Sequence, residues 1–171
     1  MNAVGPELLT RLLDKHGAAL VLYAQQWCDT PEDVVQEALL RLVRQAEAPE
    51  NVVGWVYRVV RNGAISAWRS ARRRGRREAA AADRGEPWFN PSEAERLDAA
   101  AATAALKELP IEERETIVAR VWGGLTLEQI AELTGTSKST VHRRYQSGLS
   151  ALRERLGVVC PKREKKDTLK T

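Results

Sequence analysis

The sequence predicts an all-α chain organised as two small helical domains joined by a linker. Three observations predict it. Apolar residues recur at three- and four-residue spacing in segment after segment, and no segment alternates as a half-buried strand would. Between Ala79 and Ala100 the composition changes: two alanine tetrads flank DRGEPWFNPSEAERLD, with its two prolines, glycine and acids, which reads as a boundary. The length, 171 residues with 43% apolar content, suits one or two small cores. The expected layout is a first domain over 5–78, a linker over 79–100, a second domain over 101–157, and a basic, disordered tail over 158–171.

Glu7 to Cys28 reads as the first helix, with Leu20, Tyr23, Ala24 and Trp27 on one apolar face. Asp29-Thr30-Pro31 restarts the chain, with Thr30 placed to cap and Pro31 suited to the first helical position. The second helix, Pro31 to Gln45, has Val35, Ala38, Leu39 and Leu42 as its core stripe. Asp33, Gln36, Glu37 and their charged neighbours lie off that stripe, and on pattern alone such a face is simply solvated. A polar connection, Ala46 to Val53, leads into a third helix from about Asn51 to Arg77, packed through Trp55, Val56, Val59 and Val60. Its far end, Arg69 to Arg77, has six arginines in nine residues. That density is costly by self-repulsion unless a polyanion lies against it, so the run is a candidate phosphate-contacting surface, the alternative being a solubilising helix end. Trp68 beside it suits either the core or a stack on an unpaired base.

The second half opens with a helix from about Ser92 to Glu108, followed by one from Ile111 to Trp122 that carries Ile117, Val118 and Val121 and stops at Gly123-Gly124. Then comes LTLEQIAELTGTSKSTVHRRYQSGLSALRERL, Leu125 to Leu156. Thr126 and Gln129 form the ends of a capping box, Leu127, Ile130 and Ala131 form a stripe, and Gly135 marks a left-handed stop. Ala131 is small where two helices would cross closely. Ser137 can cap the next helix, whose buried side is Val141, Tyr145, Leu149 and Leu152. The opposite face holds Lys138, Thr140, His142, Arg143, Arg144 and Gln146, residue types that reach phosphates and base edges. The pattern is a helix-turn-helix with its second helix in the major groove; the plainer alternative is a helical hairpin with a basic face.

Net charge +4 and pI near 9.3 are modest, but the excess is concentrated, which fits nucleic acid. The two histidines sit in different halves and there is no glycine-rich phosphate loop, so no enzyme chemistry and no cofactor are expected. Cys28 and Cys160 lack metal-ligand spacing; no metal site is expected, and they read as reduced thiols of a cytoplasmic protein. The sequence contains neither a run long enough to span a membrane nor a signal-peptide pattern, so no membrane insertion is expected.

Taken together, DTPEDVVQEALLRLVRQ, WVYRVVRNGAISAWRSARRR and LKELPIEERETIVARVWGGLTLEQIAELTGTSKSTVHRRYQSGLSALRERL resemble the two blocks of bacterial RNA polymerase sigma factors. The compact layout is similar to the extracytoplasmic-function group of the sigma-70 family, and the likeness covers roughly Pro6 to Leu156. It implies a region 2 bundle and a region 4 helix-turn-helix, partnered by core RNA polymerase and promoter DNA. It also raises an anti-sigma factor as a further partner.

The resemblance also implies residue roles. Asp33, Gln36, Glu37 and Leu40 would dock on the clamp helices of the polymerase β′ subunit, which reverses the solvated-face reading. Ala46 to Val53 and the helix through Asn62 would capture an unpaired base of the −10 element, with Trp68 beside them. Arg58, Arg61, Arg69, Arg72, Arg73, Arg74, Arg76 and Arg77 would hold the backbone. His142, Arg143 and Gln146 fall at −35 base-reading positions, Thr140 and Arg144 at phosphate-contacting positions, with Lys138 at the helix start; the β flap would hold the rest of that domain. Two departures stand out. Ser66 replaces a common Asp, and Ser137-Lys138-Ser139-Thr140 replaces Pro-x-Gly-Thr, so a −35 preference unlike the common ones is expected. The rival functions are a free-standing helix-turn-helix regulator and a polymerase-binding sigma-like adaptor. The first gives no reason for the clamp-like helix, and the second none for the arginine and reader helices.

Overall fold

The computed structural model describes residues 4–75 and 101–157. Within them the chain forms helices α1 (Pro6–Ala24), α2 (Pro31–Val43) and α3 (Val52–Gly75) in the first half. In the second half it forms α4 (described over 101–107), α5 (Ile111–Val121), α6 (Leu127–Thr134) and α7 (Lys138–Arg155). Among the described residues there is no strand, as the periodicity predicts. The expected linker, with Trp88 and Phe89, and the expected tail lie outside the described residues.

The boundaries follow local chemistry. Pro6 and Pro31 each stand at a helix start, where a missing N–H costs nothing. Thr30 occupies the N-cap position of α2, but its side chain makes no capping bond, and its backbone (φ −124°, ψ 59°) is not the extended form that aims a hydroxyl at the first turn. α1 ends at Ala24, earlier than expected. Trp27 and Cys28 donate their N–H groups back to the Ala24 carbonyl, so Trp27 packs on the core from a turn beyond the helix. In α6 the capping box is complete: Thr126 Oγ1 accepts from Gln129 N–H at 3.2 Å, and Gln129 Oε1 accepts from Thr126 N–H at 2.8 Å. Gly135 closes it at φ 68°, where any other residue would carry a Cβ penalty.

The two halves share one apolar core. Leu20, Tyr23, Leu42, Val56, Tyr57 and Val60 of the first half are continuous with Val118, Ala119, Leu125, Ile130 and Val141 of the second, all nearly inaccessible. α1 packs on α5, and α3 on α6. A smaller cluster, Leu106, Leu109 and Ile117, sits under Tyr145, Ala151 and Leu152 of α7. Val121 departs from its expected role and is 52% exposed, because the helix turns its Val118 and Ala119 side inward.

α7 crosses α5 closely at Gly148. A Cβ there would stand 2.6 Å from Ile117 Cδ1, and Ile117 is itself buried. Gly148→Val should therefore overpack this crossing and lower unfolding free energy by about 1–3 kcal/mol in chemical denaturation. Unchanged stability would mean that α5 and α7 do not meet there.

Candidate nucleic-acid interface

On α2, Asp33, Gln36, Glu37 and Leu40 are spaced i, i+3, i+4, i+7, which puts them on one face, and all four are exposed. The core stripe, with Val35, Ala38 and Leu42 buried, points the other way. Leu40 is 43% exposed, an apolar residue with water on a charged face. Glu37 is joined to Arg41 by an i,i+4 ion pair at 2.9 Å, both partners more than half exposed.

On α3, Arg58, Asn62, Arg69, Arg72 and Arg73 are exposed along one side. The opposite side, Val56, Tyr57, Val60 and Ala64, is fully buried, so the core fixes the rotation of the helix and aims the arginines outward. Trp68 resolves against the core reading. It is 41% exposed, and the Arg72 guanidinium lies over its ring at 5.5 Å. Arg74 belongs to the helix, but its side chain, with Arg76 and Arg77, lies outside the described residues. Gly63 lets α2 approach closely; a Cβ there would be 3.0 Å from Val34.

Arg61 stands apart from that row. Its side chain is 21% exposed and is bound to Glu115 of α5, with Nε donating to Oε1 at 2.6 Å and a terminal nitrogen to Oε2 at 3.4 Å. Tyr23 of α1 donates its hydroxyl to the same Oε1 at 2.5 Å. Burial, then the Glu115 carboxylate, push Tyr23 well above the usual phenol range, so it remains a donor. Burial, the largest single influence, pulls Arg61 down, but the hydrogen bond and charge of Glu115 together with Tyr23 outweigh it and the net shift is upward. Trp27 lies beneath the Arg61 guanidinium at 5.8 Å. Glu115 was not legible as a site residue, although one signal was present: it continues the stripe Ile111, Val118, Trp122, where an acid needs a buried partner.

On α7, Ser139, His142, Arg143 and Gln146 form one exposed stripe, with Val141 and Gly148 buried behind it. Tyr145, Leu149 and Leu152 are half-buried against the second-half core. Arg144 is half-buried at the flank, and Lys138 pairs with Glu128 of α6 across the turn. That pairing holds the Glu128 carboxyl below the usual range. Ser137 Oγ accepts from Thr140 N–H at 3.2 Å and lies 2.9 Å from both the Ser139 and Thr140 hydroxyls. The Ser-Lys-Ser-Thr start thus caps the reader helix with a hydroxyl cluster. Ser147 anchors it to α5 through Glu113 at 2.9 Å.

Residues 12–74 match the family described as Sigma-70 region 2, and residues 99–152 match Sigma-70, region 4. Over 133 residues the chain is 32% identical to the ECF RNA polymerase sigma factor EcfG of Rhodopseudomonas palustris (strain TIE-1), covering 72% of this chain and 71% of that protein. The chain belongs to the ECF sigma factors of the sigma-70 family. It is also 27% identical over 131 residues to RNA polymerase sigma factor SigV of Bacillus subtilis (strain 168), covering 75% of this chain and 76% of that protein.

Two solved structures share the fold. One is the sigma factor RpoE in complex with the anti-sigma factor NepR from Bartonella quintana, with TM-score 0.70, 24% identity, and coverage of 91% of this chain and all of that chain. The other is CnrH in complex with the cytosolic domain of CnrY, with TM-score 0.61, 21% identity, and coverage of 91% and 92%. As an ECF sigma factor the chain acts in transcription initiation, with core RNA polymerase and promoter DNA as its partners. Region 2 and region 4 in one chain leave no room for a one-module regulator. Among the described residues, no helix of this sigma factor is long and apolar enough to cross a membrane.

Proposed function

We propose that this sigma factor docks on the β′ clamp helices through Asp33, Gln36, Glu37 and Leu40, and on the β flap through its second domain. Arg58, Asn62, Trp68 and the α3 arginines hold and trap the −10 strand, while His142, Arg143 and Gln146 read the −35 element. Lys138, Thr140 and Arg144 take phosphates. We assign domains 5–78 and 101–157 to these tasks, with 79–100 as linker and 158–171 as tail, and place the protein in the bacterial cytoplasm. It supplies no cleavage chemistry of its own: phosphate contacts position it, base contacts specify, and pockets for unstacked bases offset the cost of opening the duplex. An anti-sigma factor is a further proposed partner, by analogy with the complex of the RpoE neighbour.

The observation that carries this reading is the coexistence of three exposed stripes, on α2, α3 and α7, each set outward by a buried stripe behind it. Run-off transcription on genomic promoter fragments tests it: core polymerase should give discrete transcripts only when this chain is added. Transcripts that ignore its presence would return the chain to the adaptor class.

The α2 stripe has its own test. Alanine at Asp33, Gln36 and Glu37 should each shift stability by about 0.5 kcal/mol or less, since all three are exposed and the Glu37–Arg41 pair is a surface pair. The triple variant should keep its helicity yet lose capture of core polymerase in a pull-down. Undiminished capture would leave the stripe merely solvated.

A further inference from the structure

One ion pair crosses the turn of the helix-turn-helix. Lys138, the first residue of α7, pairs with Glu128 in the first turn of α6, and both side chains are more than half exposed. An acid suits the start of a helix, where the dipole is positive, so Glu128 is well placed for α6 by itself. Lys138 is not. A cation at a helix start opposes the dipole, and the first turn of α7 has no acid of its own to offset it. Nor does the fold depend on the pair. An exposed pair contributes little to stability, and the turn is already set by the Thr126–Gln129 box, the left-handed Gly135 and the Ser137 cap. Lys138 does stand four residues before His142, and so at the head of the exposed stripe of the reader helix. Its bond to Glu128 holds that carboxyl below the usual range, so the acid stays ionised at neutral pH.

We propose that Glu128 is an affinity-setting residue of the −35 contact: it neutralises Lys138, so that the head of the reader helix meets the DNA backbone without net charge. This role rests on the reading of α7 as the −35 helix. A Lys138 ammonium held by Glu128 keeps N–H groups to offer a phosphate. The pair is neutral, however, and a neutral contact releases no condensed counterion. What Glu128 withholds is therefore the sequence-independent part of binding. Base reading by Arg143 and Gln146 lies further along the helix and is left alone. Glu128 lowers the hold on any duplex and leaves the preference between duplexes unchanged.

The test compares the full chain as wild type, Glu128→Gln, Lys138→Ala and the double variant, all expected to keep their helicity because both positions are exposed. Two duplexes serve as probes: one carries the −35 motif that wild type selects from a randomised library, and the other is of random sequence and equal length. Fluorescence anisotropy across a salt series gives affinity and slope. Glu128→Gln should steepen the slope of log affinity against log salt by about 0.9 and tighten binding to both duplexes roughly eightfold at about 0.1 M salt. The ratio of the two affinities should stay as in wild type. In the Lys138→Ala background the same change should gain much less, because no ammonium is left to free. Glu128→Gln with wild-type slope and affinity overturns this role. So does an equal gain with and without Lys138, which would mean that the carboxylate repels DNA by its own field. A changed ratio overturns it too, because Glu128 would then act on base reading. Failure of the reader-helix reading looks different: wild type itself would then prefer neither duplex.

Discussion

Replacing Arg69, Arg72 and Arg73 together with alanine should remove a large share of the salt dependence of DNA binding that α3 supplies. All three are exposed on one side of α3, so none is committed to the core. Each lost phosphate contact lowers the slope of log affinity against log salt by about 0.9. Three contacts correspond to a slope change of about 2.7, so raising salt from 50 to 200 mM should weaken the wild type roughly 40-fold more than the variant. Filter binding or anisotropy across that range reads it directly. A slope that stays put would make the run a solubilising helix end. Because no described core residue is touched, folding should be preserved. Trp68 should become more accessible in the same variant, since it loses the Arg72 guanidinium over its ring.

Arg143→Ala should relax −35 selectivity at one base pair, whereas Arg144→Ala should weaken binding to every sequence alike. The argument is one of direction. Val141 and Gly148 are buried and Ser147 is tied to Glu113, so α7 has one rotational setting. That setting leaves His142, Arg143 and Gln146 exposed on one stripe and Arg144 half-buried at its flank. A guanidinium on the stripe can make two bonds to a guanine edge, and an amide two to an adenine edge. Losing such a pair costs about 1–3 kcal/mol at that base pair. A randomised −35 library selected with wild type and with Arg143→Ala decides it: equal stringency for the same motif would remove Arg143 from the readers. The Ser137–Ser139–Thr140 hydroxyl cluster sits where the reader helix begins, so the selected motif should depart from common ones at the bases nearest that end.

The sequence by itself determined the helices, the turn of the helix-turn-helix and the outward faces. Those are local or periodic properties: the Thr126–Gln129 box, Gly135, and the stripes Val35-Ala38-Leu42 and Val56-Val60 each reside within a few turns of one helix. Periodicity also placed Asp33, Gln36 and Glu37 off the apolar stripe, while the arginine run at the end of α3 stood out by its density alone. Where a signal depended on one bond's geometry, it failed: Thr30 has the right type at the right position, yet with its backbone at φ −124° and ψ 59° the side chain makes no capping bond. Only the tertiary structure decided that Trp68 faces water, that Val121 does too, and that Gly148 rather than a larger residue is required where α7 crosses Ile117. It also decided the fate of Arg61. Nothing near Arg61 in sequence distinguishes it from Arg58, and its partner Glu115 lies 54 residues away. The physical reason is burial. A charge on a solvated face is interchangeable with its neighbours, but a carboxylate taken out of water must find its counter-charge wherever the fold brings one. Here the fold brings Arg61 and Tyr23 from the other half of the chain.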